Sequence, residues 1–446
     1  MQLLNLQLGA FFGLDPQCEF HPRTFSALAS RRARRFSRGL AFIILSLVFG
    51  QSGGIALEGQ TSLQMEENPR QKAGFREFIE SIWPLAAKQN ISRTLFDSTF
   101  DGMIPDLTLP RRMSSQAEFE KPLKDYLAAA VTNGRIGIAN AAKEKWRNQL
   151  ANIQQSFGVP QDILLAAWAM ESDFGRVRGD KDVIRTLASL AFLRDVRTLF
   201  LDELIAALNI LERGDIDRSL MKGSWAGAMG DPQFLPSTYL KYAVHYSGSG
   251  SPDIWTSPPD ILASIANFLH SSGWTPGLVW GMEVIVPASF NYAKLHNDFS
   301  IWSDLGVATV DGRSLPARGN ATLYMPSGAN GPAFLLSDNY WILKKYNNSD
   351  SYALSLAWLA ERIGGGGPIR GAWPVGEKSR GRSEKTEIQR LLTQLGFYNG
   401  TVDGRLGPAS RDAIHDFQIA AKTGPADGYP APDLLRRLRA AVAARN

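Results

Sequence analysis

Residues 166–180, AAWAMESDFGRVRGD, set one ionisable side chain, Glu171, at the end of an apolar stretch and just before a glycine turn. The apolar stretch calls for an interior, and the carboxyl at its end has to be reconciled with that burial. The residues leading in are FGVPQDILLAAWAM. Pro160 suits the first position of a helix, which needs no backbone N–H partner. Ile163, Leu164, Ala167, Trp168 and Met170 follow at helical spacing. Leu164, Ala167 and Trp168 precede Glu171 by seven, four and three residues, so they share its face. Asp173 faces elsewhere, and Gly175 reads as the helix stop. A carboxyl among Leu, Ala and Trp is desolvated, which raises its pKa. Such a group stays protonated near neutral pH and can donate a proton. The alternative is a glutamate paired with Arg or backbone N–H that ties down a helix end, since structural networks also perturb carboxyls.

The chain around this stretch divides by periodicity. FREFIESIWPLAAKQ, FEKPLKDYLAAAV, DELIAALNILERG and PPDILASIANFLHSSGW show helical spacing, so residues 75 to about 273 read as mostly helical. Residues 57–73 are polar and read as loose. GMEVIVPA, ATLYMP and PAFLLS read as strands between turn residues. SYALSLAWLAERI reads as a returning helix, and GGGGPIRGAWPVGEKSRGRS as a linker. A module of about sixty residues follows, with helical stretches EIQRLLTQLGF and ASRDAIHDFQIAA around the turn-dense YNGTVDGRLGP. No long-range repeat is visible.

The 446 residues suffice for one large domain and a small one. Near the N-terminus, RRARRFSRGL, AFIILSLVFG and QSGGIALEG succeed one another. A basic stretch, a short apolar core and small residues make an export signal, with cleavage expected near Ala56. The apolar run is too short for a comfortable membrane span. The basic region lies far from Met1, which fits a mis-chosen start codon or an uncleaved anchor. Residues 1–56 carry six Arg and two acids, so removing them leaves 42 basic and 41 acidic residues. The net charge of +5 is therefore weak evidence for a nucleic-acid partner. The single Cys, Cys18, leaves with the signal, which suits an oxidising compartment. No GxxxxGK[ST], CxxC or HExxH occurs, and a structural zinc site is not indicated.

Three further stretches carry polar groups in suggestive settings. In GSWAGAMGDPQFLPSTYLKYA, residues 223–243, glycines and prolines alternate with Trp225, Met229 and Phe234. Glycines admit close backbone approach to a ligand and aromatic faces suit sugar rings, with Ser224 and Gln233 as hydrogen-bonding groups. The same stretch also reads as a tight interhelical loop that fills the core. NYWILKKYNNSDSYALS sets Tyr346 and Tyr352 near Asn347 at a helix start, either lining a cleft or as core tyrosines with satisfied hydroxyls. VHYSGSGSPDIWTSPPD, residues 244–260, has the outline of a calcium loop with Gly250 as its turn. Calcium requires several carboxylates, and the alternating positions hold His245, Ser247 and Ser249, leaving only Asp253 and Asp260.

MESDFGRVRGDKDVIRTLASLAF, KGSWAGAMGDPQFLPSTY and DIWTSPPDILASIANFL together resemble lytic murein transglycosylases of the membrane-bound B type, from about Gly74 to Gly364. IQRLLTQLGFYNGTVDGRLGPASRDAIHDFQ resembles the small helical peptidoglycan-binding domain of cell-wall enzymes. The resemblance implies a mainly α (α+β), lysozyme-like catalytic domain with a small strand-containing subdomain, plus a three-helix module. It divides the chain into an export signal segment (1–56), a catalytic domain (74–364), a linker (365–383) and a peptidoglycan-binding domain (384–446). It implies that Glu171 is the sole catalytic acid and base, that Ser224 and Gln233 face the glycan, and that Tyr346 and Tyr352, with Asn347, line the cleft. Phe268 stands where the family commonly has Tyr.

The implied reaction cleaves the β-1,4 bond between N-acetylmuramic acid and N-acetylglucosamine and leaves a 1,6-anhydromuramic end without water. The alternatives are a hydrolytic muramidase, which needs a second carboxylate, and a non-catalytic peptidoglycan-binding scaffold. No cofactor and no metal is implied. Expected partners are peptidoglycan glycan strands, with cell-wall synthesis or secretion complexes as further candidates; no nucleic acid is expected. The chain reads as a monomer exported to the periplasm, membrane-tethered if the signal is uncleaved. Millimolar calcium is expected to leave the melting temperature unchanged, because without a tight site there is no linkage stabilisation. Differential scanning fluorimetry checks this: a rise of several degrees with calcium and none with magnesium would contradict it.

Overall fold

The computed structural model describes residues 69–109, 122–193, 197–374 and 380–445. The export signal read over 1–56 lies outside them. The first part of the described chain is a succession of helices: α1 (Pro69–Lys88), α2 (Arg93–Phe100), α3 (Leu123–Ala130), α4 (Asn133–Lys145), α5 (Arg147–Phe157), α6 (Gln161–Ser172), α7 (Val183–Leu193), α8 (Arg197–Glu212), α9 (Pro236–Tyr242) and α10 (Pro258–Ser271). A two-residue antiparallel pair, β1 (Lys181–Asp182) with β2 (Lys222–Gly223), links the segment after α6 to the loop before α9. Helix α1 starts at Pro69, within the stretch expected to be loose. Its interior face explains the helix: Phe75, Phe78, Ile79 and Ile82 are buried, and the rings of Phe75 and Phe78 lie 5.3 and 5.7 Å from that of Phe192 on α7.

Helix α6 lies at the centre. Every residue from Ile163 to Ala169 is buried, and α4, α5, α10 and a helix that follows the strands, Asp350–Ile363, pack around it. A helix apolar on all sides has no stable place but a core.

The remaining strands form one five-stranded antiparallel sheet, ordered β4 (His296–Asp298), β6 (Asn320–Tyr324), β7 (Ala333–Ser337), β3 (Gly281–Ile285), β5 (Ala308–Thr309). The three strands read from sequence are its three central ones; β4 and β5, each paired on one side only, are too short to show a period. The side chains alternate between two cores. Ala321, Leu323, Ala333, Leu335 and Val284 face a small cluster with Phe299 and Trp302, the latter pair on α11 (Phe299–Asp304). Tyr324, Phe334 and Leu336 face the helical body. With both faces covered, β7 is buried at all five positions. Two helices, α12 (Asp338–Tyr346) and α13 (Asp350–Ile363), return the chain to α6.

After α13 the glycine-rich stretch is tied down. Glu283, a buried carboxylate of β3, accepts the backbone N–H of Arg370 at 3.0 Å and that of Gly371 at 2.6 Å. The C-terminal module holds α14 (Arg382–Gln394), α15 (Pro408–Ala420) and α16 (Leu434–Ala443) around Ile388, Leu392, Ile414, Phe417 and Leu438. It contains a short repeat that the sequence pattern did not show. The amide of buried Gln389 donates to Asp403 and accepts the N–H of Gly404 at 2.8 Å; Gln418 does the same with Asp427 and Gly428, also at 2.8 Å. Each glutamine pins an Asp-Gly turn to its own helix.

One buried acid makes stability depend on pH. Glu203 of α8 is fully buried and accepts the Ser237 N–H at 2.9 Å and its hydroxyl at 2.7 Å, anchoring the first turn of α9. Burial outweighs these two donors and pushes its pKa up from 4.5 to about 7. A carboxyl raised in the native state contributes stability below its unfolded pKa and loses it as pH rises through the folded one. The loss falls between about pH 4.5 and 7 and is of order 3 kcal/mol. Glu203→Gln keeps the shape without the ionisation. Its melting temperature relative to the wild type is expected to improve from pH 5 to pH 8; a constant difference would show that Glu203 does not titrate there.

Candidate active site

Helix α6 delivers Glu171 to its last turn, half-buried. Pro160 caps the helix rather than opening it, with ψ 141°, and Gln161 is the first helical residue. The end also differs from the expected glycine stop. Asp173 itself turns left-handed at φ 52°, followed by Phe174 at 59° and Gly175 at 80°. Asp is one of the few residues other than Gly that adopt this conformation readily. Here its carboxylate is held from two sides, by Arg135 Nε of α4 at 3.1 Å and by Arg176 at 2.8 Å. Asp173 is thus engaged in ion pairs.

A second clamp grips the same turn. Trp168, one helical turn before Glu171, donates its indole N–H to Asp231 Oδ2 at 2.6 Å, and Arg178 pairs with the other oxygen. Asp231 is fully buried, and burial raises its pKa against the opposing pull of Arg178 and Trp168. The Trp168 ring also meets Phe174 edge-on at 5.4 Å. Sequence reading passed over Asp231, although it lies inside the quoted loop, two residues before Gln233. Its partners are 53 and 63 residues away, and no local signal names them.

The loop 223–235 fits the core-filling reading in its backbone. At Gly223 a side-chain carbon would stand 2.1 Å from the carbonyl of Ala228, and at Gly230 it would stand 2.5 Å from that of Ile254. These two glycines therefore admit protein backbone, where the sequence also allowed a ligand. Met229 and Phe234 are buried and Trp225 is half-buried. Ser224 is fully buried; its hydroxyl accepts the N–H groups of Ala226 at 3.3 Å and Ala228 at 3.0 Å and so shapes the loop. Gln233, at φ 53°, donates its amide to the carbonyls of Arg178 at 2.9 Å and Gly230 at 2.8 Å. These bonds stitch the loop to the segment following α6.

The tyrosines close the site from the other side. Tyr352, in the first turn of α13, donates its hydroxyl to Glu171 Oε1 across 181 residues. Burial, and then the charge of Glu171, hold its pKa well above 10, so it remains a donor. Tyr346, the last residue of α12, donates its hydroxyl to the Pro232 carbonyl at 3.0 Å, which ties α12 to the Gln233 loop. Asn347 caps α12, and its Oδ1 is buried with no partner among the described residues. An acceptor in that state is costly unless something donates to it. Phe268 is fully buried, 5.0 Å from the Tyr346 ring and 6.0 Å from that of Phe234. It belongs to the aromatic core behind the site. Tyr126 of α3, which sequence reading also missed, lies near enough to Tyr352 to affect its ionisation.

The loop 244–260 is closed by its own donors. Asp260 accepts the N–H groups of Tyr246 at 3.1 Å and Asp253 at 2.9 Å; Asp253 accepts those of Trp255 and Thr256. His245 and Ser247 bond each other at 2.9 Å.

The chain matches known proteins over most of its length. Residues 74–361 match the model of the transglycosylase SLT domain, and residues 382–438 that of a putative peptidoglycan binding domain. The chain is 30% identical over 233 residues to membrane-bound lytic murein transglycosylase B of Escherichia coli (strain K12), a match covering 49% of this chain and 61% of that protein. The structure of SltB3 from Pseudomonas aeruginosa in complex with NAG-anhNAM-pentapeptide superposes with a TM-score of 0.76 at 41% identity, covering 82% of this chain and 99% of that one. Soluble lytic transglycosylase SltB1 from the same species, at 24% identity, shares the fold with a TM-score of 0.56 over 65% of this chain and 97% of its own. With the SLT model matched over well more than half of its length, the chain belongs to the transglycosylase SLT domain family.

Proposed function

We infer that this chain is a peptidoglycan lytic transglycosylase in which Glu171 is the single acid and base. The carrying observation is the Glu171–Tyr352 pair at the end of a sealed helix, with the neighbouring carboxyls engaged elsewhere. Asp173 pairs with Arg135 and Arg176, and Asp231 with Arg178. With both carboxylates taken up by arginines, Glu171 is the carboxyl we assign to proton transfer, whereas two-carboxyl glycosidases require a second.

One carboxyl suffices if the substrate supplies the nucleophile. Protonated Glu171 gives its proton to the β-1,4 oxygen between N-acetylmuramic acid and N-acetylglucosamine, and the C1–O bond breaks. The muramic N-acetyl group supports the positive charge at C1. Glu171, now a carboxylate accepting the Tyr352 hydroxyl, takes the proton of the C6 hydroxyl as that oxygen bonds C1. The 1,6-anhydro end forms, no water is consumed, and Glu171 is protonated again. We assign Gln233 and Asn347 to the glycan through their amide oxygens, since both Gln233 N–H groups go to backbone carbonyls and Asn347 Oδ1 has no partner among the described residues; Tyr346 holds the loop that carries Gln233, and Ser224 shapes that loop. The C-terminal module supplies glycan-strand binding. The relatives' names and the signal segment support work on the cell wall after export to the periplasm, with a tether if the signal stays. No described helix is long and apolar enough to cross a membrane.

Mass spectrometry of muropeptides released from sacculi tests the reading. Anhydromuramic ends are expected, and reducing ends would indicate a hydrolytic muramidase instead. Glu171→Gln should lower release by at least about 10²–10⁴-fold, the usual contribution of general acid–base catalysis, while binding to sacculi survives. Asp173→Asn should cost far less. Near wild-type turnover by Glu171→Gln, or a dead Asp173→Asn beside an active Glu171→Gln, would falsify the single-acid mechanism. Tyr352→Phe removes one hydrogen bond to the carboxyl, worth about 1 kcal/mol, and should slow release by roughly fivefold in steady-state assays at equal folded concentration.

A further inference from the structure

Helices α6 and α13 pack together and carry polar groups at both ends of their contact. At one end Tyr352 meets Glu171. At the other, nine residues along each helix and about 13 Å of rise away, stand Asp162 and Glu361. Both line an open cleft of about 390 Å³ between the helix pair and the β3–β5 edge of the sheet, within the size range of small-molecule sites. Ile163, Trp274, Leu278, Trp280, Met282 and Ala360 supply apolar walls, and Arg313 a third charged group. None of these residues belongs to the site at Glu171.

Each carboxylate has one oxygen engaged and one to offer. Lys143 holds Asp162 Oδ1 at 2.7 Å, and Arg313, shared with Asp311, holds Glu361 Oε1 at 3.3 Å. Asp162 Oδ2 and Glu361 Oε2 accept no hydrogen bond among the described residues. Trp274 is buried, and its indole N–H has no acceptor among the described residues, a costly state for a buried donor. The glycine run that sequence reading placed at the start of a linker forms one side of the cleft. A side-chain carbon at Gly364 would stand 3.1 Å from Asp162 Oδ2, and one at Gly366 would stand 2.7 Å from Glu361 Oε1. Glycine at these two positions leaves the space beside both carboxylates clear. A matching ligand donates to carboxylate oxygens, accepts from an indole and lays an apolar face on aromatic walls. With each carboxylate already paired to a cation, it needs no charge of its own.

We propose that this cleft is a second saccharide site, which takes an N-acetylated hexosamine unit of a glycan strand. Ring hydroxyls donate to Asp162 and Glu361 in charge-assisted hydrogen bonds, the acetamido carbonyl answers the Trp274 indole, and the apolar face of the ring lies against the indole walls. An ammonium ion alone satisfies the carboxylates but gives the indole N–H nothing to donate to. Because the cleft lies at the far end of α6 from Glu171, it holds a stretch of glycan other than the bond being cut. The site does not depend on the assignment of Glu171 as the acid.

The test titrates the full chain with triacetylchitotriose, an oligomer of N-acetylglucosamine, and follows the indole N–H resonances by NMR. Trp274→Phe and Trp280→Phe assign the two resonances of the cleft. Both are expected to shift together and saturably, in the wild type and equally in Glu171→Gln. Glu361→Ala should weaken the binding read from these shifts about tenfold, the scale of one hydrogen bond to a charged group. Glu361→Gln, whose amide oxygen still accepts, should cost less. Gly364→Ala places a methyl beside Asp162 at a backbone φ of −73° that any residue adopts. It should also weaken binding, and it serves the same comparison if Glu361→Ala does not fold. The absence of a saturable shift overturns the proposal, as do shifts that neither Glu361→Ala nor Gly364→Ala weakens, which place the sugar elsewhere. A tighter response to acetyl-lysine amide than to the trisaccharide also overturns it, because the cleft is then an ammonium site.

Discussion

The seven buried residues from Ile163 to Ala169 leave α6 no solvent-facing side. A helix packed on every face at interior density cannot rotate or slide without opening voids. Its last turn is therefore a fixed platform, and Glu171 stands on it. Everything else in the site meets that platform: Arg135 through Asp173, the Gly-rich loop through Asp231 and Trp168, and α13 through Tyr352.

Buried ion pairs seldom add much net stability, because desolvating the charges offsets their attraction. What Asp231 contributes is register. Its two oxygens accept from Trp168 and Arg178, so the residues before and after Glu171 are referred to one atom group on the loop that also carries Gln233. The glycines of that loop belong to the same construction, since Gly223 and Gly230 let backbone lie on backbone where a side chain would collide with a carbonyl. A rigid backbone of this kind supports a site built from few polar groups.

The C-terminal module extends the same logic across the domain boundary. Its connection to the catalytic half is held by Glu283 on the sheet, and its helix α15 is held by Arg411 and His415. Within the module, Gln389 and Gln418 make the same bonds to successive Asp-Gly turns. The repeat escapes a reading for periodicity because its unit is a hydrogen-bond pattern, with the turn fifteen residues after the glutamine in one copy and ten in the other.

The chain's own order of residues determined much: the helical stretches, the three central strands, the helical terminal module, and Glu171 as a carboxyl after apolar residues. These follow from contacts within a few positions, where side-chain period and turn chemistry act. Only the tertiary structure decided what the carboxyl meets. Tyr352 lies 181 residues from Glu171, Asp231 lies 63 from Trp168, and Arg135 lies 38 from Asp173. Tertiary context also overruled local signals. Asp173, gripped by two arginines, ends α6 ahead of the glycine meant for that task, and Phe268 sits in the aromatic core behind the site. A side chain's period is written in its neighbours along the chain; its partner is chosen by which distant surface the packed core brings within hydrogen-bonding reach.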